Sequence, residues 1–158
     1  IGNLQDSTLV STQIAMMPRL YCASPDYLAR YGVPAGPAAL QHHRCLRYSL
    51  LSTRDEWEFA EKSLTPDTCV PLAANNGDVL REAAIQGLGI AMLPWYIVEE
   101  ALRAGALVPV LAQHAPPPIP LSIVRPSRQF TPVRVTALMA WLREALADAG
   151  KKEGEEKR

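Results

Sequence analysis

"CVPLAANNGDVLREAAIQGLGIAMLPWYIVEEALRAGALVPVL", residues 69–111, decides the fold. "CVPLAA" is a short apolar run, and Pro71 places its strand at a sheet edge or starts it after the proline. A helix is predicted over about 77–86, with Val79, Leu80, Ala83 and Ala84 on one face and Arg81, Glu82 and Gln86 opposite. Asn76 is its N-cap, and Gly87 stands where a left-handed residue closes a helix. "GIAML" (89–93) is an uninterrupted apolar strand of the kind buried on both faces. Pro94 ends it and opens a second helix, "WYIVEEALRA", which Gly105 stops. "LVPVL" (107–111) is a third strand, with Pro109 again marking an edge. The series is β-α-β-α-β, which predicts an α/β fold of parallel strands with right-handed crossover helices.

Outward from this block the signals vary. "RLYCAS" (19–24) reads as a strand. It runs into a short helix, "SPDYLARYG", with Ser24 as N-cap, Pro25 first and Gly32 as the stop. "GPAALQHH" suggests one more helical turn after Pro37, "CLRYSLL" (45–51) a strand, and "EWEFA" (56–60) a half-buried strand before a loop over 61–68. Residues 1–18 show no clean period. Downstream, "APPPIP" (115–120) reads as a stiff extended linker and "LSIV" (121–124) as a strand. "TPVRVTALMAWLREALAD" (131–148) is a helix capped by Thr131, with Val135, Leu138, Met139, Leu142 and Leu146 on one face. Residues 149–158 form a charged, frayed tail.

Composition excludes several classes. An apolar fraction of 48% and a charged fraction of 20% fit a globular chain. Lys+Arg and Asp+Glu cancel at 16 each, so net charge gives no reason for a nucleic-acid or membrane partner. No apolar run approaches the roughly 18 residues of a membrane span, and no signal peptide is visible. Cys22, Cys45 and Cys69 are odd in number and widely spaced, which suits reduced, buried thiols in the cytoplasm.

The junction at Ala74–Asn75–Asn76 leaves a strand and enters a helix. Ligands of open α/β sheets bind beyond the carboxyl ends of strands, and the first N–H groups of a helix favour anions. A carboxylate, phosphate or amide-bearing molecule suits such a place. Gly87 and Gly89 admit a close neighbouring backbone. The same asparagine caps a helix with no ligand at all, so the pattern alone leaves both readings open.

Other residues carry weaker chemistry. "HHRC" brings His42, His43 and Cys45 together, the raw material of a Cys–His nucleophile. Neither an orienting acid nor an oxyanion donor can be assigned, and no metal-ligand spacing is present. Trp95, Tyr96 and Trp141 are read as packing residues rather than stacking platforms. Arg125 is read as solvated, with an anionic ligand as the alternative.

"DSTLVSTQIAMMPRLYCASPDYLARYG", then "AANNGDVLREAAIQGLGIAMLPWYIVEEALRAGALVPVL", "PIPLSIVRP" and "TPVRVTALMAWL" together resemble the effector-binding domain of LysR-type transcriptional regulators, in the family's order. The resemblance spans about Ile1 to Leu146. It implies a two-lobed, periplasmic-binding-protein-like α/β domain over 1–148. Residues 24–119 would form a complete second lobe, and 1–23 with 120–148 part of the first. It implies a non-catalytic sensor of a small organic effector, such as a carboxylate, with no cofactor or metal. Ala74, Asn75, Asn76, Gly89, Ile90 and Ala91 would line one wall of the effector cleft. The resemblance also implies that Cys45 is buried and that the two histidines, His42 and His43, lie on the surface. It further implies self-association, a cytoplasmic location, and DNA binding only through a helix-turn-helix absent from this chain. The first lobe's opening strands also look absent, so weak effector binding and exposed apolar surface are expected. A stand-alone solute-binding protein of the same fold and a Cys/His hydrolase are the alternatives.

Overall fold

The computed structural model describes residues 9–49, 57–58, 63–64, 69–126 and 132–147. The chain divides into two compact units, one of Ile1–Pro18 with Pro118–Arg158 and one of Arg19–Pro117.

The first unit holds β1 (Val10–Met17), and the second opens with β2 (Arg19–Ala23). Helix α1 (Pro25–Tyr31) follows, then a 3-10 helix over Pro37–His42 and β3 (Cys45–Tyr48). Strands β4 (Trp57–Glu58) and β5 (Ser63–Leu64) form a small antiparallel pair. Next come β6 (Ala73–Ala74), α2 (Gly77–Ile85), β7 (Ile90–Pro94), α3 (Trp95–Arg103) and β8 (Val108–Val110). The chain ends in the first unit with β9 (Ile119–Arg125) and α4 (Val133–Ala147).

The second unit is built on a five-stranded sheet ordered β6-β3-β7-β2-β8. β3 runs parallel to β6 and β7, and β2 is antiparallel to β7 and β8. The strands of the β-α-β-α-β series therefore share one direction, as expected. They are not neighbours: β3 lies between β6 and β7, and β2 lies between β7 and β8. The sheet is mixed for that reason. The expected edge positions of the proline-bearing runs hold, because β6 and β8 are the outer strands and β6 begins only after Pro71.

β7 is the central strand, and its side chains alternate between two cores. Ile90 and Met92 join Tyr21, Tyr27 and Leu40 on one side. Ala91 and Leu93 join Leu80, Ala84 and Val98 on the other. α1 and the 3-10 helix thus cover one face, and α2 and α3 the other. Each fully buried aliphatic side chain here contributes about 1.5–3 kcal/mol.

The helix boundaries follow local chemistry. Ser24 accepts from the Tyr27 N–H at the start of α1, and Gly32 closes it at φ 82°. α2 ends in a Schellman turn, with Gly87 N–H donating to Ala84 O and Leu88 N–H to Ala83 O. Gly87 sits at φ 74°. On α2 the buried residues are Gly77, Leu80, Ala83 and Ala84, while Val79 faces solvent, which corrects its assignment to the apolar face.

In the first unit β1 pairs antiparallel with β9. The register skips between Gln13 and Ala15, leaving Ile14 as an extra residue. Burial alternates through Val10, Ser11, Thr12 and Gln13, then slips phase at this bulge. That slip explains why residues 10–17 show no clean period. β9 begins at Ile119, so the end of "APPPIP" is strand rather than linker. α4 packs on β1, with Val135, Met139, Leu142 and Leu146 half-buried and Leu138 exposed. Ser63–Leu64 is likewise strand inside the expected loop. The Thr131 cap, the burial of Trp57 and Phe59, and the 149–158 tail lie outside the described residues.

Candidate functional site

The parallel strands β6, β3 and β7 end together. Ala74 is paired with Tyr48, and the Ser49 N–H donates to Ala74 O at 2.8 Å. Asn75 and Asn76 follow, both exposed, and lead into α2. Pro94 ends β7 and caps α3, and Arg19 of β2 is paired with it. Arg19 is buried, with its Nε donating to Pro117 O at 2.9 Å. The chain therefore enters and leaves the second unit at this same end of the sheet.

Asn76 adopts an extended backbone and its Oδ1 accepts from the Asp78 N–H at 2.8 Å. The cap uses only the amide oxygen; the NH2 group is not part of it. Asp78 occupies the first turn of α2, where the helix dipole favours its charge. Arg81 bridges it at 2.9 Å, holds Glu82 at 2.9 Å, and donates to Ile97 O at 3.2 Å. The hydrogen bond to Glu82, followed by the field of Asp78, holds the Arg81 guanidinium above its ordinary pKa. This solvated network fastens the start of α2 to α3 more than it stabilises the fold. Tyr96 lies on the same side: burial, then Tyr48 and Asp78, push its phenol above the ordinary value. The rim thus offers carboxamides, phenols and helix-start N–H groups around one paired carboxylate. That inventory is polar and rich in hydrogen-bonding groups, and the described residues in it include no nucleophile–base pair.

Gly89, Ile90 and Ala91 are placed elsewhere. Ile90 and Ala91 pair with Cys45 and Leu46 at the beginning of β3, whereas Ala74 pairs with Tyr48 at its end. Along the strand direction the two groups are offset by about 7–10 Å at the usual rise of a strand, and β3 lies between them. Ile90 and Ala91 are both fully buried. A Cβ on Gly89 would lie 2.5 Å from Arg44 O, which also accepts from the Ile90 N–H at 2.9 Å. The close approach that this glycine admits is made by the protein's own backbone. The structure does not bring the six residues together.

"HHRC" separates too. His43 is buried, not on the surface, with Nδ1 3.1 Å from the Tyr27 hydroxyl; His42 is exposed with Nε2 3.1 Å from Gln41. Cys45 is buried as expected, Cys69 is exposed against expectation, and all three cysteines are free. Burial pushes the Cys22 thiol up to about 12. Among the described residues no group of three His, Cys, Asp or Glu is placed to hold a metal, and no helix is long and apolar enough to cross a membrane. Trp95 is half-buried, but Tyr96 and Trp141 are exposed, so neither is a core residue. Each stands off the buried stripe of its helix. Arg125 closes β9 opposite Val10, in the first unit. Tyr48 and Tyr96 were not legible as rim residues, since only the pairing of β3 with β6 and the start of α3 bring them to this end.

Residues 1–147 match the family described as LysR substrate binding domain. The chain is 32% identical over 140 residues to an HTH-type transcriptional regulator of Haemophilus influenzae, covering 87% of this chain and 49% of that protein. It is 29% identical over 154 residues to the HTH-type transcriptional activator AaeR of Escherichia coli, covering 96% and 50%. Its structure is similar to the regulatory domain of CrgA, a LysR-type transcriptional regulator from Neisseria meningitidis. The TM-score is 0.77 at 27% identity, covering 92% of this chain and 72% of that one. The chain spans about half the length of the curated relatives it matches.

Proposed function

The chain belongs to the LysR substrate-binding-domain family, and from that premise we propose that Ala74, Asn75 and Asn76 form one wall of its effector site. Its α/β fold is that of LysR regulatory domains, which is periplasmic-binding-protein-like. In this reading the expected second lobe, residues 24–119, corresponds to the unit Arg19–Pro117, and the other unit belongs to the first lobe. The observation that carries the site is the exposed, capped rim at the carboxyl end of β6, where the sheet offers polar groups to solvent. Gly89, Ile90 and Ala91, buried at the other end of β3, are left out of this wall.

The effector is a small organic molecule, with a carboxylate the class that two helix starts favour. The whole protein acts on DNA through a segment outside this chain, self-associates, works in the cytoplasm and catalyses nothing. Signalling requires that the effector bind one arrangement of the domain better than another.

Thermal unfolding against a panel of small organic acids tests this. A ligand at a hundred times its Kd stabilises by about 2.7 kcal/mol. Asn76→Asp keeps the cap but adds a negative charge, so it should abolish the response to a carboxylate while leaving the unliganded stability near its original value. An unchanged response in Asn76→Asp would remove this rim from the site.

A further inference from the structure

The "HHRC" segment, which effector binding leaves unused, lies at the other end of the sheet from the rim. We propose that the Tyr27–His43 pair is an acid-sensitive latch, tying α1 and the 3-10 helix to the start of β3 and opening when the imidazole takes up a proton. Tyr27 is 0% exposed and His43 6%. The Tyr27 hydroxyl accepts from the Arg44 N–H at 2.9 Å and lies 3.1 Å from His43 Nδ1. With its oxygen engaged by a backbone donor, the hydroxyl's own proton is satisfied by donating to Nδ1. On that ground we assign His43 as the neutral tautomer with its proton on Nε2.

Protonation turns Nδ1 into a donor that faces a donor. Either the buried hydroxyl proton loses its acceptor or the contact opens, and a buried group without a partner is costly. Among the described residues, the groups around the pair offer the imidazolium no counter-charge. Tyr27 and Tyr31 face this corner from α1, with their rings stacked at 4.8 Å. Arg44, at the lead-in to β3, lies 5.3 Å over the Tyr31 ring. Cys45 and Tyr21 belong to the same core as Tyr27. His42 stands next in sequence, Arg30 Nε bonds the Asp26 carbonyl, and the Asp26 side chain is on the exposed side of α1. Burial, and then His42, hold His43 below the usual imidazole value. The unfolded chain therefore binds this proton more readily. The latch's contribution is complete above about pH 6.5 and is lost as pH falls from there through the lower folded value.

Nuclear magnetic resonance of the full chain tests the latch, following the His43 ring and the hydrogen-exchange protection of the Arg44 amide between pH 7.5 and 5. The expected result is that His43 titrates below 6.5 and that Arg44 protection falls about tenfold or more with it. In His43→Gln, whose amide oxygen can still accept from Tyr27, protection should stay level. Constant protection through the His43 titration, or the same loss in His43→Gln, would overturn the proposal. Should that variant fail to fold, the titration of the unaltered chain decides alone.

Discussion

At one end of the five-stranded sheet the chain turns through Ala74, Asn75 and Asn76 with its polar side chains in the open. At the other end it turns through Gly89, Ile90 and Ala91, all buried. Both turns join α2 to the sheet, and in the sequence both look like places for a ligand. The difference lies in what occupies the space beside them. Arg44 O fills the space next to Gly89, while the cap at Asn76 leaves its amide nitrogen uncommitted. A glycine that admits close approach says nothing of who approaches.

Substitutions at the two ends test this contrast. The largest effect is expected for Gly89→Ala. Its methyl group would meet backbone that cannot step aside, so urea denaturation should show a loss of about 1–3 kcal/mol or more. If Gly89→Ala were neutral, the buried end would have the room for a ligand that the structure denies it. Asn76→Ala removes the α2 cap and should cost about 1 kcal/mol by the same measurement, together with the effector response. Asn76→Ser should restore most of the stability but not the response. Gly77→Ala is the smallest. Its Cβ would meet the Cδ1 of Ile97, the end of a flexible side chain, with Leu93 at ordinary contact distance. It should therefore stay within about 0.5 kcal/mol of the unaltered chain. A large loss there would mean that α2 and α3 are packed as rigidly as β3 and β7.

Much of the fold was legible because its signals are local. Ser24, Asn76 and Gly87 do what their side chains, or the lack of one, predict. β7 announced itself because burial on both faces requires an unbroken apolar run. The order of the strands was not legible, since nothing in β2 or β3 states which gap it fills. β1 was hidden by one extra residue at Ile14, which shifts the alternation partway along. His43 looked like a surface residue until the fold supplied Tyr27 as its partner from another helix. The candidate site was half legible. The capped strand-to-helix junction can be read from Ala74–Asn76, but the register that separates it from Gly89–Ala91 depends on β3, far away in sequence.

Effector should meet the Asn76 end of the sheet and leave the Gly89 end undisturbed. The direct measurement is to titrate the unaltered chain with the organic acid giving the largest thermal shift, and to map the backbone amide chemical-shift changes. The changes should centre on Asn75, Asn76 and Gly77, with Gly89, Ile90 and Ala91 little affected. Changes centred on Gly89–Ala91 instead would contradict that expectation.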